Sequence, residues 1–212
     1  MIIVTIVALF VSIKHWKEEK ELHLITYYLA AAVAIDLLCI YFELFTSGNI
    51  VAKRIQVLLL VVFMIIEITI FFIYLSRNIN SHELRTIIKF IYLTFFILNF
   101  YLSVIHPSLF YNMASQFAVV ESFCLVVPCL FYFYELFACK RIALINQSSF
   151  WVVTGILFYN SCSIPIFLLE DYIRHKLAIY NDAVLALNYI LYSILFLLFI
   201  RAYLCRKKLI SS

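Results

Sequence analysis

The sequence predicts an all-α fold, a polytopic bundle of seven transmembrane helices that forms a single domain over residues 1–212. Hydrophobic residues make up 66% of the chain and charged residues only 13%, whereas a soluble domain has roughly a half and a quarter. About 20 apolar residues in a helix cross a hydrocarbon layer of about 30 Å. Six runs of about that length recur, at 24–45, 56–76, 88–105, 115–138, 149–169 and 183–204.

A seventh and shorter apolar run, MIIVTIVALFVSI, occupies residues 1–13. As a helix it would measure about 20 Å, at 1.5 Å per residue, which makes it a marginal span. No basic residue precedes it and no small-residue cleavage site follows it. We therefore expect a helix of the bundle rather than a cleaved signal peptide.

The positive charges between the runs predict the orientation, because cytoplasmic loops of membrane proteins are enriched in lysine and arginine. With seven spans, one side of the bundle holds Lys14, Lys17, Lys20, Arg77, Arg85, Lys89, Lys140, Arg141, Arg201, Arg206, Lys207 and Lys208. The other side holds Lys53, Arg54, Arg174 and Lys176. We expect the N-terminus outside, the C-terminus in the cytoplasm and the protein in the inner (plasma) membrane.

Charge and cysteine usage exclude several classes of partner. The net charge of +4 follows from the cytoplasmic anchoring residues, so the lipid bilayer is the expected partner and nucleic acid is not. The six cysteines fall inside predicted helices or at their cytoplasmic ends, at Cys39, Cys124, Cys129, Cys139, Cys162 and Cys205. No disulfide is expected, because none of the cysteines falls in an outer loop. No metal site and no cofactor are expected either, because there is no C-x-x-C pair or other ligand pattern.

The string SHELRT at residues 81–86 resembles the segment around the phosphorylated histidine of sensor histidine kinases. Here Ile87 follows in place of the usual proline, and Gly48 and Gly155, the chain's two glycines, form no nucleotide-binding loop. Asn80 and Glu83 have the spacing of a capping box before the next helix. We interpret the string as a helix start; phosphorylation of His82 by a separate protein stays open.

Ionisable and amide side chains inside the apolar runs are the candidate site. A charged group at the bilayer centre costs from about 2.5 to more than 10 kcal/mol, so such residues face the bundle interior and often mark a site. No lysine or arginine lies mid-run to neutralise these carboxyls, so we expect some of them to carry a proton. The candidate ligand-binding or proton-binding residues are Asp36, Glu43, Glu67, Glu121, Asn160 and Asn188.

Spacing and depth predict where this polar chemistry lies. Asp36 and Glu43 are seven residues apart and share one face of their helix. Glu43 and Glu121 fall in the outer part of the bundle, and Asp36 and Glu67 near its middle. We expect a polar pocket in the outer half. The alternative is that these groups only form hydrogen bonds between packed helices, which is the interpretation we favour for Asn188.

The stretches ESFCLVVPCLFYFYELF, at 121–137, and FWVVTGILFYNS, at 150–161, resemble those of a group of uncharacterised bacterial seven-helix inner-membrane proteins. The resemblance covers roughly the last hundred residues. It implies a sensory or signalling membrane module and brings no established activity or site.

Three functions remain open on these grounds. The first is a sensory or ligand-binding module that a cytoplasmic or membrane effector protein reads. The second is a proton- or cation-coupled transporter or channel, in which Asp36, Glu67 and Glu121 act as the relay. The third is a structural subunit of a membrane complex. An intramembrane enzyme is the least expected, because no nucleophile with a neighbouring base, no metal set and no cofactor fingerprint can be found in the sequence.

Overall fold

A computed structural model describes residues 2–16, 22–45, 50–105, 114–138, 147–176 and 181–205. Within these ranges the protein consists of seven α-helices and contains no strand, which confirms the predicted fold class. The helices are α1 Ile2–Lys14, α2 His23–Phe45, α3 Ile50–Asn78, α4 His82–Ile105, α5 Ala114–Ala138, α6 Ser148–Lys176 and α7 Asn181–Leu204.

Several helices are longer than the apolar runs that predicted them. α4 begins at His82, six residues before the predicted run, because the polar turn of Glu83 and Arg85 is already helical. α6 continues to Lys176. Polar turns of this kind extend a helix beyond the apolar layer. The backbone hydrogen bonds of a helix join residues four apart, so they form in polar and apolar turns alike.

Five helices in the described part of the chain are long and apolar enough to cross a membrane. They are α2, α3, α5, α6 and α7. α1 is a shorter apolar helix, and α4, whose first turns carry Glu83, Arg85 and Lys89, is not among the five. The protein is therefore a helical membrane protein with several spans; the orientation of its termini stays a prediction.

Six helices form a closed ring in which each packs against the next, in the order α1, α2, α3, α5, α6 and α7. α7 closes the ring by packing against α1, and the α5–α6 and α6–α7 interfaces are the most extensive. α4 packs against α3 and α5 only weakly. The chain order is thus broken at one place, because α3 contacts α5 as well as its neighbour α4.

Aromatic side chains fill the interior of the ring. The fully buried ring of Tyr28, on α2, lies 4.7 Å from Phe71 on α3 and 6.1 Å from Phe199 on α7, centroid to centroid. Such pairs add about 0.5 to 1.5 kcal/mol each to the burial of their area. Aromatic contacts thus help to hold α2, α3 and α7 together, and a hydrogen bond between Thr26 Oγ1 and Tyr203 Oη, 2.6 Å apart, adds a polar contact between α2 and α7.

Gly155 sets the separation of α6 and α7. A Cβ atom at this position would lie 3.1 Å from Leu195 Cδ1 and 3.3 Å from Leu198 Cβ, closer than ordinary van der Waals contact. A glycine lets two helix backbones approach closely, which is the usual basis of tight packing between membrane helices.

We expect Gly155→Leu to push α6 and α7 apart and to lower the free energy of unfolding by about 1 to 3 kcal/mol or more, through overpacking. Gly155→Ala should cost less, since Leu195 need move only slightly. Thermal unfolding of the purified protein measures both effects. Ser161→Leu, which adds similar bulk at an exposed position of the same helix, is the control, and an equal loss of stability there would contradict this role of Gly155.

Candidate functional site

Glu67 on α3 and Glu121 on α5 are buried in the interior of the bundle, with 5% and 7% of their surface exposed. They interact electrostatically with one another, because α3 and α5 are neighbours in the ring. The sequence had marked both residues separately, and the fold brings them into one site. We refer to these two carboxyl groups as the carboxyl pair.

The carboxyl pair lies deep in the bundle. Hydrogen bonds from the α3–α4 connection to Glu135 show that the last turns of α3 and α5 are at the same end. At 1.5 Å per residue, Glu67 lies about 17 Å along α3 from Asn78, and Glu121 about 21 Å along α5 from Glu135. Both carboxyl groups are therefore far from this end of the bundle, while Glu121 lies about 10 Å from the other end of α5, at Ala114.

Three tyrosines from three other helices surround the carboxyl pair. Tyr28 on α2, Tyr159 on α6 and Tyr192 on α7 all interact electrostatically with Glu67. The rings of Tyr159 and Tyr192 lie 4.3 Å apart. The site thus draws on five of the six ring helices, and it combines carboxyl oxygens with phenolic hydroxyl groups.

No positive charge neutralises the carboxyl pair within the described part of the chain. The groups that act on Glu67 and Glu121 are Tyr28 and the two carboxyls themselves, and no lysine, arginine or histidine is among them. Two facing carboxylates in a low-dielectric interior repel one another strongly, and a proton or a bound cation relieves that repulsion. This arrangement can bind a positive charge.

Several buried oxygen atoms of the site lack a well-formed hydrogen bond. In the part of the chain that the structure describes, these are Glu121 Oε1, Tyr28 Oη and Ser163 Oγ. Tyr28 faces Glu67 and Ser163 faces Tyr159, but neither hydroxyl completes a hydrogen bond of good geometry. Unsatisfied buried polar atoms are uncommon in folded proteins and call for an explanation.

The other predicted site residues that the structure describes are Asp36, Asn160 and Asn188. Asp36 is half-buried on α2 and interacts electrostatically with Tyr28, so it lies at the edge of the site. Asn160 is buried, but its amide donates to Ile156 O on its own helix, at 2.8 Å. Asn188 is half-buried on α7 and its Oδ1 has no partner among the described residues. The Glu43 side chain lies outside the described part.

A second polar contact, at the end of the bundle, joins α5 to the connection between α3 and α4. Glu135, on α5, accepts a hydrogen bond from the backbone N–H of Asn80 at Oε2 and one from that of Ser81 at Oε1, both at 2.7 Å. These distances are typical of strong, charge-assisted hydrogen bonds. We call this contact the Glu135 clamp; it fixes the start of α4 to the last turns of α5.

The structure corrects the predicted capping box of α4. The residue at the N-cap is Ser81 rather than Asn80: its carbonyl accepts from Arg85 N at 3.1 Å, and its Oγ accepts from Leu84 N at 3.4 Å. Glu83 is exposed, and the carboxylate near the helix start comes from Glu135 on another helix. Sequence spacing could not identify this partner, because the contact spans more than fifty residues.

Tyrosines and a serine were the site residues that sequence reasoning missed. The aromatic residues of a membrane protein usually lie against lipid or at the interfaces, and nothing in the local sequence distinguishes Tyr28, Tyr159 and Tyr192 from the other tyrosines. One weak signal exists: Tyr159 and Ser163 are four residues apart in YNSCS, so they share a face of α6.

The described residues contain no group of three or more His, Cys, Asp or Glu side chains that could hold a metal ion. His82 is exposed at the start of α4. No protein-family model matches the chain, and neither the curated proteins nor the solved structures contain a match. The carboxyl pair and its tyrosines are accordingly the basis for any assignment of function.

We expect Glu135→Gln to weaken the clamp, because an amide N–H₂ group would face one of the two backbone donors. Loss of a hydrogen bond to a charged acceptor is worth about 1.5 to 3 kcal/mol, so the Asn80 and Ser81 amides should exchange with deuterium at least about tenfold faster. Mass spectrometry of peptides that cover 79–84 measures this in lipid nanodiscs. Glu83→Gln removes the same charge nearby, and an equal effect there would rule out the clamp as the cause.

Proposed function

We propose that this protein is a sensory or signalling module of the inner (plasma) membrane. In this proposal a small ligand or a proton engages the carboxyl pair, and the helices report the event at the α3–α4 connection, residues 79–81. A separate cytoplasmic or membrane effector protein then reads the change. The resemblance of the last hundred residues to membrane proteins of a sensory type agrees with this proposal, but the proposal rests on the contacts described next.

One observation supports the proposal above all: α3 and α5 each contribute to two polar contacts. In the interior they carry Glu67 and Glu121. At the end of the bundle, the chain that leaves α3 is bound by Glu135 of α5. A shift of one helix against the other at the carboxyl pair would therefore strain the Glu135 clamp, because both contacts cross the same interface.

The chemistry of the carboxyl pair gives such a shift a cause. Binding of one positive charge changes the electrostatic interaction between the two carboxyl groups, so the bound and empty states favour different separations of α3 and α5. A ligand shifts the equilibrium only by its difference in affinity for the two states. Pro128 lies on α5 between Glu121 and Glu135, and its missing N–H makes it a natural place for that helix to bend.

The exposed start of α4 is the surface that an effector would read. His82, Glu83 and Thr86 are exposed there, directly after the clamped residues. The charge distribution of the loops predicts that this connection is on the cytoplasmic side. Movement of the clamp would present these side chains differently to a partner, without any need for a soluble domain in the described chain.

Coupling between the two contacts is the test of this proposal. We expect Glu67→Gln and Glu121→Gln each to change amide exchange in residues 79–84 by about fivefold or more, which is the lower range for energetic coupling between distant sites. The physical reason is that each variant lowers the number of ionisable carboxyl groups in the pair from two to one and so changes how it binds a proton or a cation. Exchange is measured in nanodiscs by mass spectrometry, with thermal unfolding to confirm that the variants fold.

Thr94→Ala, an exposed change on α4, is the control and should leave exchange at 79–84 unaltered. If the glutamine variants fold and exchange like the unmodified protein, the carboxyl pair does not communicate with the clamp. The sensory proposal would then be wrong.

A proton- or cation-coupled transporter is the second candidate, and Asp36 is the observation that favours it. This half-buried carboxyl on α2 interacts with Tyr28, which in turn contacts Glu67. Three carboxyl groups in succession could pass a positive charge along the bundle. Transport requires that the site open to each side of the membrane in turn, whereas sensing requires access from one side only.

Access of water separates the two candidates. We place Ser163→Cys in a background without the natural cysteines, which keeps the carboxyl pair intact, and label intact cells and inverted vesicles with an impermeant thiol reagent. Labelling from the outer side alone is the result expected of a sensor with a site in the outer half. Labelling from both sides would favour transport, and labelling from neither would favour a structural subunit.

A further inference from the structure

Three oxygen atoms in the interior of the bundle suggest that the site holds something besides protein. Tyr28 Oη, Glu121 Oε1 and Ser163 Oγ have no well-formed hydrogen bond among the described residues. Tyr28 and Ser163 are completely buried, and Glu121 is 7% exposed. Folded proteins leave only a few buried polar groups per 100 residues unsatisfied, and three of the six such atoms among the described residues belong to α2, α5 and α6 at this site.

These oxygens belong to one cluster. Tyr28 faces Glu67, and Glu67 interacts with Glu121. Ser163 faces Tyr159, which interacts with both carboxyl groups. Every polar atom in this network is a carboxyl or hydroxyl oxygen. Oxygen atoms with unused lone pairs, together with uncompensated negative charge, are what a hard cation requires.

We propose that Glu67, Glu121, Tyr28 and Ser163 form the binding site for one dehydrated monovalent cation. This inference rests on the proposed function, since it names the ligand that the carboxyl pair senses. The cation accepts lone pairs from the unsatisfied oxygens and supplies the positive charge that the surrounding helices lack. Its arrival and departure change the net charge between α3 and α5 by one.

Charge and ligand number favour a monovalent over a divalent ion. Calcium takes six to eight oxygen ligands, and magnesium keeps several waters in an octahedral shell. The described residues offer two carboxyl groups here and no third His, Cys, Asp or Glu that would complete a metal-binding group. With one carboxyl protonated and the other ionised, a monovalent cation leaves the site electrically neutral, which is the least costly state in a low-dielectric interior.

Other ionisable groups around the pair contribute no positive charge. On α2 these are Tyr28 and Asp36, on α5 Cys124, on α6 Tyr159, and on α7 Tyr192. Each is an acid that is neutral or negative in any state. The proton therefore competes with the cation for the same oxygens, and the experiment must separate the two.

The test is thermal unfolding of the purified full chain in detergent, at constant ionic strength. Chlorides of lithium, sodium and potassium each replace N-methyl-D-glucamine in a titration, at two pH values. Calcium and magnesium form separate arms. The variants are Glu121→Gln and Ser163→Ala, which alter the site with little change of volume, and Glu83→Gln is the control at an exposed position.

We expect one alkali cation to raise the Tm saturably, by about 3 °C or more at ten times the midpoint concentration, as for a ligand that binds only the folded state. Glu121→Gln should raise the midpoint concentration of the cation at least about tenfold. Ser163→Ala should raise the midpoint concentration by a smaller factor, and Glu83→Gln should leave it unchanged. Retention of the same midpoint in the Glu121→Gln and Ser163→Ala variants would overturn the proposal.

The other outcomes identify a different ligand or separate the cation site from the sensory function. If acidification alone raises the Tm and no alkali cation does, the ligand is a proton; if only calcium or magnesium acts, it is divalent. Both results overturn the monovalent site while leaving the sensory function intact. If the cation binds but amide exchange at 79–84 does not respond, the site stands and the sensory function fails.

Discussion

The burial of two carboxyl groups between α3 and α5 is the constraint on which the rest of the bundle depends. Lipid does not solvate Glu67 or Glu121, so both must face inward, and α3 must lie beside α5 rather than only beside α4. This requirement accounts for the interruption of chain order in the ring. α4 is left outside the ring, and the Glu135 clamp holds its start.

Tyrosine suits the environment of these carboxyls better than a basic residue would. An arginine beside Glu67 would form a buried ion pair whose desolvation cost offsets most of its attraction, and the pair would be locked in one state. The hydroxyl of Tyr28 polarises the site while its ring packs on Phe71 and Phe199. The result is a well-packed aromatic core around a site whose charge is free to change.

Composition and hydropathy were sufficient to predict the helices, because an apolar run in lipid can satisfy its backbone only as a helix. The two central site residues were predictable for the same reason: each is an uncompensated charge in such a run. Tyr28 and Ser163 were not, since their role depends on which helices meet, and helix order in the ring is set by packing between distant segments. The sequence predicted that Glu83 caps the start of α4, whereas Glu135 binds there. This difference also arises because packing between distant segments brings Glu135 to that position.

The two carboxylate contacts between α3 and α5 differ in a way that gives the bundle a direction. Glu135 binds two backbone donors at 2.7 Å, so each of its carboxylate oxygens has a partner. Glu121 has an oxygen without a partner, so its contact with Glu67 gains energy from any bound positive charge. The Glu135 clamp holds α5 to the end of α3 in either state, whereas the contact between Glu67 and Glu121 depends on a bound charge. A change at the carboxyl pair would therefore move the helices relative to the clamped end. In the proposed sensory function, the carboxyl pair would be the input and the α3–α4 connection the place where a displacement reaches the surface.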